Sequence, residues 1–337
     1  MTRPILIYRL GSFGDTVVAL PCFHAINRAF PGRERIVLTN MPVAAEAPPL
    51  MAVLGQHGQF ADRVLTYPVG TRDPRVLARL ARQIRKTGAD EAVWLMPERS
   101  SWAIRRDVAF FRLAGIRTIH CLPKTEEERR ARVHPGTGET EREAFRLLRC
   151  CAELTPGDIP VRLAFDLKLT DAEVRAGRAA REPFGGLPFI AINMGGKAAT
   201  KDWGAGNWTE LARIIGRYDI GVMAIGAAED RGAANCVLSA WPGPVANLCG
   251  TLSPRVSGAA MRRALAFIGH DSGPLHLAAA LGVPTIGLFG DHNAPRQWHP
   301  MGQDVQIIHR TSGMRDIGVE EVANMLDPHL TVREAAE

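Results

Sequence analysis

Short apolar runs separated by amphipathic stretches recur along this chain, and that alternation limits the folds open to it more than any other feature. In the first half the runs are PILIYR (4–9), RIVLT (35–39), RVLTY (63–67), EAVWLM (91–96) and IRTIHCL (116–122), with helix-like segments between them. A glycine-bearing turn after Arg9 leads into a helix predicted through DTVVALPCFHAINRAF. The rhythm weakens over 123–165, where charged residues, Pro and Gly precede a helix ending near Leu154. It restarts with FIAIN (189–193), IGVMAIG (220–226), AFIGH (266–270) and PTIGLFG (284–290). Helices are predicted between these in NWTELARIIGRY, DRGAANCVLSAW and GPLHLAAALG. Strands this apolar, alternating with helices, belong in parallel sheets covered on both faces. A length of 337 residues favours two cores over one. The expectation is an α/β protein with two Rossmann-like parallel-sheet domains, 1–170 and 171–337, facing across a cleft, with a linker near 165–185. Ligands of such sheets lie beyond the carboxyl ends of the strands.

Composition narrows the setting. No run of eighteen apolar residues occurs, so no membrane span is predicted, and MTRPILIYRLGSFGD lacks the apolar core of a signal peptide. Six cysteines show no C-x-x-C pair or zinc spacing, which fits a reduced, cytoplasmic location. The net charge of +6 is uneven: residues 1–165 carry 25 Lys/Arg against 17 Asp/Glu (+8), and residues 166–337 carry 16 against 18 (−2). A basic first half suits an anionic partner, either a phosphorylated acceptor or an anionic membrane surface. Nucleic acid is disfavoured, because aromatics are 6% and no recognition-helix or zinc-finger pattern appears. In PRVLARLARQIRK (74–86), Arg75, Arg79, Arg82 and Lys86 form one stripe opposite Val76, Leu77, Leu80 and Ile84. That stripe is either a solvated helix face or a peripheral contact with anionic lipid.

Four segments carry residues capable of chemistry. In RLGSFGDTVVALP (9–21), Gly11 and Gly14 permit a tight turn and Asp15 opens the next helix. Asp15 is either a helix cap or a general base at the strand–helix mouth. The spacing is neither G-x-G-x-x-G nor a Walker A loop. INMGGKAATKDWGAGNW (192–208) runs from a strand into a glycine pair and then Lys197 and Lys201, an anion loop or a flexible turn with solvated charges. IGAAED (225–230) places Glu229 at a strand end, where it either accepts from a ribose diol or serves the helix dipole. In FIGHDSGPLHLAAALG (267–282), Asp271 ends the strand, Ser272 can cap the next helix, and Gly273 and Pro274 fill its first turn. His276 follows Ser272 by four residues on the same helix face, so both can reach one anion at the helix N-terminus. No D-x-D, H-x-x-x-H or H-E-x-x-H spacing occurs, so no metal site is expected and an anion would be met by Lys201, His276 and backbone dipoles.

Three of these stretches together, ILIYRLGSFGDTVVALPCFHAI, GGKAATKDWGAGNWTELARII and GHDSGPLHLAAALGVPTIGLFG, resemble the heptosyltransferase-type glycosyltransferases of family 9. The resemblance implies a GT-B fold and inverting, metal-independent transfer of a sugar such as heptose from ADP-heptose. The nucleotide sugar is the donor substrate, and no further cofactor is implied. By position Asp15 would be the general base, with Gly14 beside the donor. Lys201 would meet the donor phosphates, Glu229 the ribose, and Asp271 the sugar hydroxyls. Ser272, Gly273 and His276 would hold the diphosphate, and Leu252, in GTLSP, would lie by the adenine. The family commonly continues its fourth strand into D-x-Q-G, whereas this chain has WLMPERSSW (94–102) on the acceptor side. The acceptor therefore stays open between lipopolysaccharide core, another glycolipid and a small molecule. The cysteine pattern and the basic stripe of 74–86 together suit a protein of the cytoplasm, or one peripheral to the inner membrane face. Two other readings are a UDP-sugar epimerase of the same fold and a non-catalytic nucleotide-sugar-binding module; Asp15 argues against the second.

Overall fold

The computed structural model describes residues 2–41, 50–55, 58–68, 70–155, 164–196 and 199–331. The chain divides into two compact units, Met1–Ala164 and Phe165–Glu337. Each is built around a parallel sheet.

In the first unit the order is β1 (Ile5–Tyr8), α1 (Phe13–Val18), α2 (Leu20–Ala29), β2 (Arg35–Met41), α3 (Met51–Leu54), β3 (Arg63–Pro68), α4 (Pro74–Thr87), β4 (Glu91–Trp94), α5 (Ser101–Leu113), β5 (Thr118–His120), α6 (Glu126–Arg129) and α7 (Glu143–Cys150). The strands lie in the order β3-β2-β1-β4-β5, all parallel. Ile7 of β1 stands opposite Val37 on one side and Val93 on the other, so the central strand is buried along its length. One face packs Leu6, Tyr8, Ile36, Leu38 and Trp94 against Leu80 and Ile84 of α4 and Phe111 of α5. Each such large apolar side chain contributes about 1.5–3 kcal/mol by leaving water. The single helix expected after Asp15 is two, broken at Ala19. Pro21 falls in the first turn of α2, where its missing N–H costs nothing. In α4, Arg75, Arg79, Arg82 and Lys86 are exposed while Leu80 and Ile84 are buried, as the stripe implied.

The second unit runs α8 (Asp171–Ala179), β6 (Phe189–Asn193), α9 (Ala205–Ile215), β7 (Gly221–Ala224), α10 (Arg231–Leu238), β8 (Val245–Asn247), α11 (Pro254–Met261), β9 (Phe267–His270), α12 (Gly273–Ala280), β10 (Thr285–Phe289), β11 (Val305–His309) and α13 (Val319–Thr331). Its parallel strands are ordered β11-β10-β9-β6-β7-β8. The stretch 165–185, read as linker, contains α8. Thr170 and Glu173 cap that helix reciprocally. The buried Arg255 of α11 ties it down through Glu173 (2.6 Å) and the Leu167 carbonyl (2.9 Å). Two strands went unpredicted, β8 and β11. Both are sheet edges, and neither shows a continuous apolar run: only Ala246 of β8 and Ile308 of β11 are buried.

In both sheets the order reverses between the first and fourth strands of the unit, at β1/β4 and at β6/β9. In folds of this kind a crevice opens at such switch points, beyond the strands' carboxyl ends, and ligands bind there. No described helix is long and apolar enough to cross a membrane.

Candidate functional site

At the first switch point the chain leaves β1 through Arg9, which is fully buried. Its guanidinium donates to the Leu95 carbonyl (3.2 Å), where the chain leaves β4, and to the main-chain carbonyl of Asp15 (2.5 Å). Burial lowers the Arg9 pKa, and the charges of Asp15 and Glu143 oppose that shift. Beside it the buried Arg146 donates twice to Glu143, each bond 2.6 Å, and once to the Met96 carbonyl at 2.9 Å. Two buried guanidiniums thus fix the carbonyls that follow β4 beneath α1. Asp15 sits at the third position of α1 and accepts the Ser12 N–H at 2.5 Å, so it does cap its helix. The fit is close. Gly11 has φ +145, and a Cβ there would lie 2.6 Å from the Asp15 Cβ. Asp15 and Gly14 are half-buried. Capping does not preclude a role in chemistry, since a carboxylate has several lone pairs to offer. Sequence reasoning missed Arg9, although an Arg directly after an apolar strand and before Gly11 was a signal.

At the second switch point, β6 ends in the buried Asn193. Its amide donates to the Ile225 carbonyl (2.8 Å), and its carbonyl oxygen accepts the Ser272 hydroxyl (2.7 Å). Ser272 occupies the N-cap position of α12 but makes no side-chain cap bond, contrary to expectation. Its hydroxyl joins the chain after β9 to the end of β6 instead. Gly273 and Pro274 are half-buried in the first turn, and His276, one turn on, is buried. Lys201 Nζ lies 2.5 Å from Asp271 Oδ2, with 17% and 11% of the two side chains exposed. Asn293, in the chain after β10, donates to the same oxygen. Asp271 and Lys201, assigned from sequence to sugar and phosphate, therefore pair with each other.

The neighbouring loops divide the two acids of IGAAED. Glu229 is exposed. Asp230 turns inward, accepts the Ala227 N–H (2.8 Å) and lies over Gly195 and Gly226, where a Cβ would meet its carboxylate. Burial raises the Asp230 pKa. Room left by the glycine at 195 is thus taken by the protein's own acid. Leu252 is half-buried, two residues beyond Gly250, which packs closely on Ala228. Lys197 lies outside the described residues. Among the described residues no group of three or more His, Cys, Asp or Glu is arranged to hold a metal ion. The structure thus gathers Lys201, Asp271, Ser272 and the N-terminus of α12 at one switch point. Asn193, Asn293 and Asp230 join that edge unannounced, because a lone Asn or the second of two acids carries no periodic signal.

The profile of glycosyltransferase family 9 (heptosyltransferase) matches residues 142–323, more than half of the sequence. The chain belongs to glycosyltransferase family 9. The matched span includes Lys201, Glu229, Leu252 and the 271–276 segment; Asp15 precedes it. A curated relative, lipopolysaccharide heptosyltransferase 1 of Pseudomonas aeruginosa, is 33% identical over 113 residues. That alignment covers 32% of this family 9 chain and 30% of the relative, so the chain spans less than a third of the curated protein it matches. Solved structures match throughout. The E. coli ADP-heptose lps heptosyltransferase II superposes with a TM-score of 0.72 at 18% identity, over 98% of this chain and 100% of that one. A family 9 glycosyl transferase from Veillonella parvula gives 0.73 at 18%, over 97% of each chain. The E. coli heptosyltransferase WaaC with ADP gives 0.65 at 14%, over 97% of this chain and 99% of that one. At such identities the likeness establishes fold: two parallel-sheet α/β domains of the GT-B heptosyltransferase kind.

Proposed function

We propose that this family 9 chain is an inverting, metal-independent glycosyltransferase that moves heptose from ADP-heptose to an acceptor hydroxyl on a glycolipid core or another glycoconjugate. The observation that carries this reading is the cluster at the second switch point. A lysine, a carboxylate, a hydroxyl and a helix N-terminus meet beyond β6 and β9. A nucleoside diphosphate sugar needs these groups: positive charge and free N–H groups for the phosphates, a carboxylate for sugar hydroxyls. The names of the relatives, which include ADP-heptose and a complex with ADP, favour an ADP-sugar as donor. Asp15 takes the proton of the acceptor hydroxyl as that oxygen attacks the anomeric carbon. The bond from that carbon to the phosphate oxygen breaks, its electron pair leaves with ADP, and one displacement inverts the centre. Lys201, His276 and the α12 N-terminus stabilise the departing diphosphate, while Glu229 and Leu252 hold the nucleoside. The excess of Lys and Arg in residues 1–165 suits an anionic or phosphorylated acceptor, with the enzyme working at the cytoplasmic membrane face.

Thermal-shift titration with ADP-, UDP-, GDP- and dTDP-sugars tests the donor. A ligand at a hundred times its Kd stabilises the folded state by about 2.7 kcal/mol. A rise in Tm with ADP-sugars alone is the expected result, and a response confined to another nucleotide overturns it.

A further inference from the structure

The reading above leaves His270 unused, although it immediately precedes Asp271. His270 is the last residue of β9 and is fully buried. Its Nε2 accepts the main-chain N–H of Trp203 at 3.2 Å. An acceptor Nε2 carries no proton, so the ring is neutral with its proton on Nδ1. Nδ1 faces the main chain of Met194 outside good hydrogen-bonding geometry. The ring also packs on Trp208, 5.5 Å between centroids. One imidazole at the end of β9 thereby touches the loop between β6 and α9 and, through Trp208, α9 itself.

We infer that His270 is a positioning residue for the donor site, clamping the backbone at Trp203 so that Lys201, two residues earlier, is presented to the diphosphate. Trp203 makes the clamp specific. Its side chain is fully buried, and its indole N–H is already bonded to the Ile317 carbonyl at 2.9 Å. The indole therefore stays anchored whatever stands at position 270. What His270 adds is the orientation of the Trp203 peptide, and that peptide sets the direction from which Lys201 enters. Lys201 is held at its other end by Asp271, which β9 places directly after His270. Both ends of the Lys201 contact thus refer to one strand terminus, so the ammonium is fixed before any phosphate arrives. A histidine that merely fills the core would have no preference for Lys201 over the rest of the fold.

The inference rests on the proposed ADP-sugar donor, and the test separates the two. Isothermal titration with ADP is run on the full chain and on H270L, H270Q and H270N, with K201A and H270L/K201A completing a cycle. The Gln amide oxygen reaches the place of Nε2, whereas the Asn oxygen stops one bond short. H270L and H270N are expected to bind ADP about tenfold more weakly, and H270Q within about threefold of wild type. Adding H270L to K201A should change ADP affinity little further, because the clamp acts through the lysine. Equal affinity of wild type and H270N, or effects of H270L and K201A that simply add, overturns the clamp alone. If H270L does not fold, the Gln and Asn variants still decide. Wild type that does not bind ADP removes the donor reading and the clamp together.

Discussion

Gly11 shows how narrowly a single position constrains the first switch point. At φ +145, with a Cβ falling 2.6 Å from that of Asp15, it accepts no side chain unless the carboxylate moves. Gly11→Ala is expected to cost about 1–3 kcal/mol in urea unfolding and to lower transfer activity as well, since the strain falls on Asp15. His270 supplies a pH signature. Burial holds its pKa down to about 4 against the ordinary 6.5. The unfolded chain takes up that proton near pH 6.5, the folded chain only near pH 4. Its contribution is therefore complete above pH 6.5 and declines as the pH falls through that window, by about 3 kcal/mol in all. Urea midpoints of wild type and H270Q should diverge between those limits; parallel curves would contradict the buried neutral ring.

Helix starts and strand ends carry the candidate groups of each unit. α12 begins in half-buried residues whose cap hydroxyl is committed to Asn193. Its dipole and Lys201 are then two positive features that the second unit offers an anion. Lys201→Ala should weaken ADP binding about tenfold or more by removing a charged hydrogen bond, and titration calorimetry reads this directly. Removing Glu143, the buried partner of Arg146, is a different kind of loss. E143A leaves a guanidinium unpaired under the sheet edge and should cost about 3–5 kcal/mol in chemical denaturation. Most elements were legible in the sequence, because strands buried on both faces, such as β1 and β9, must be apolar throughout. The edge strands β8 and β11 escaped because only one side of each pairs, and the surface tolerates polar residues there. The break at Ala19 was legible in principle, since Pro21 stands inside the run taken as one helix.

Over the whole molecule, two sheets of related topology each reverse strand order once, and the residues proposed for chemistry stand at those reversals. Lys201, Asp271 and Ser272 could be named from sequence, since strand–turn–helix junctions announce where a crevice opens. Their mutual arrangement could not. That Lys201 pairs with Asp271, that Ser272 bonds Asn193 and that Asp230 fills the space above Gly195 depend on contacts between residues 35 to 79 positions apart, which no local pattern encodes. Arg9 and Arg146 likewise look like surface charges until the sheet closes over them. In the proposed reaction the second unit binds the donor and Asp15 of the first removes the proton. Rates of ADP release from ADP-heptose and a lipopolysaccharide-core acceptor, compared between wild type and Asp15→Asn at saturating donor, test it most directly. A fall of about 10²–10⁴-fold with ADP affinity unchanged is the expected result; a variant that turns over at the wild-type rate would contradict Asp15 as the base.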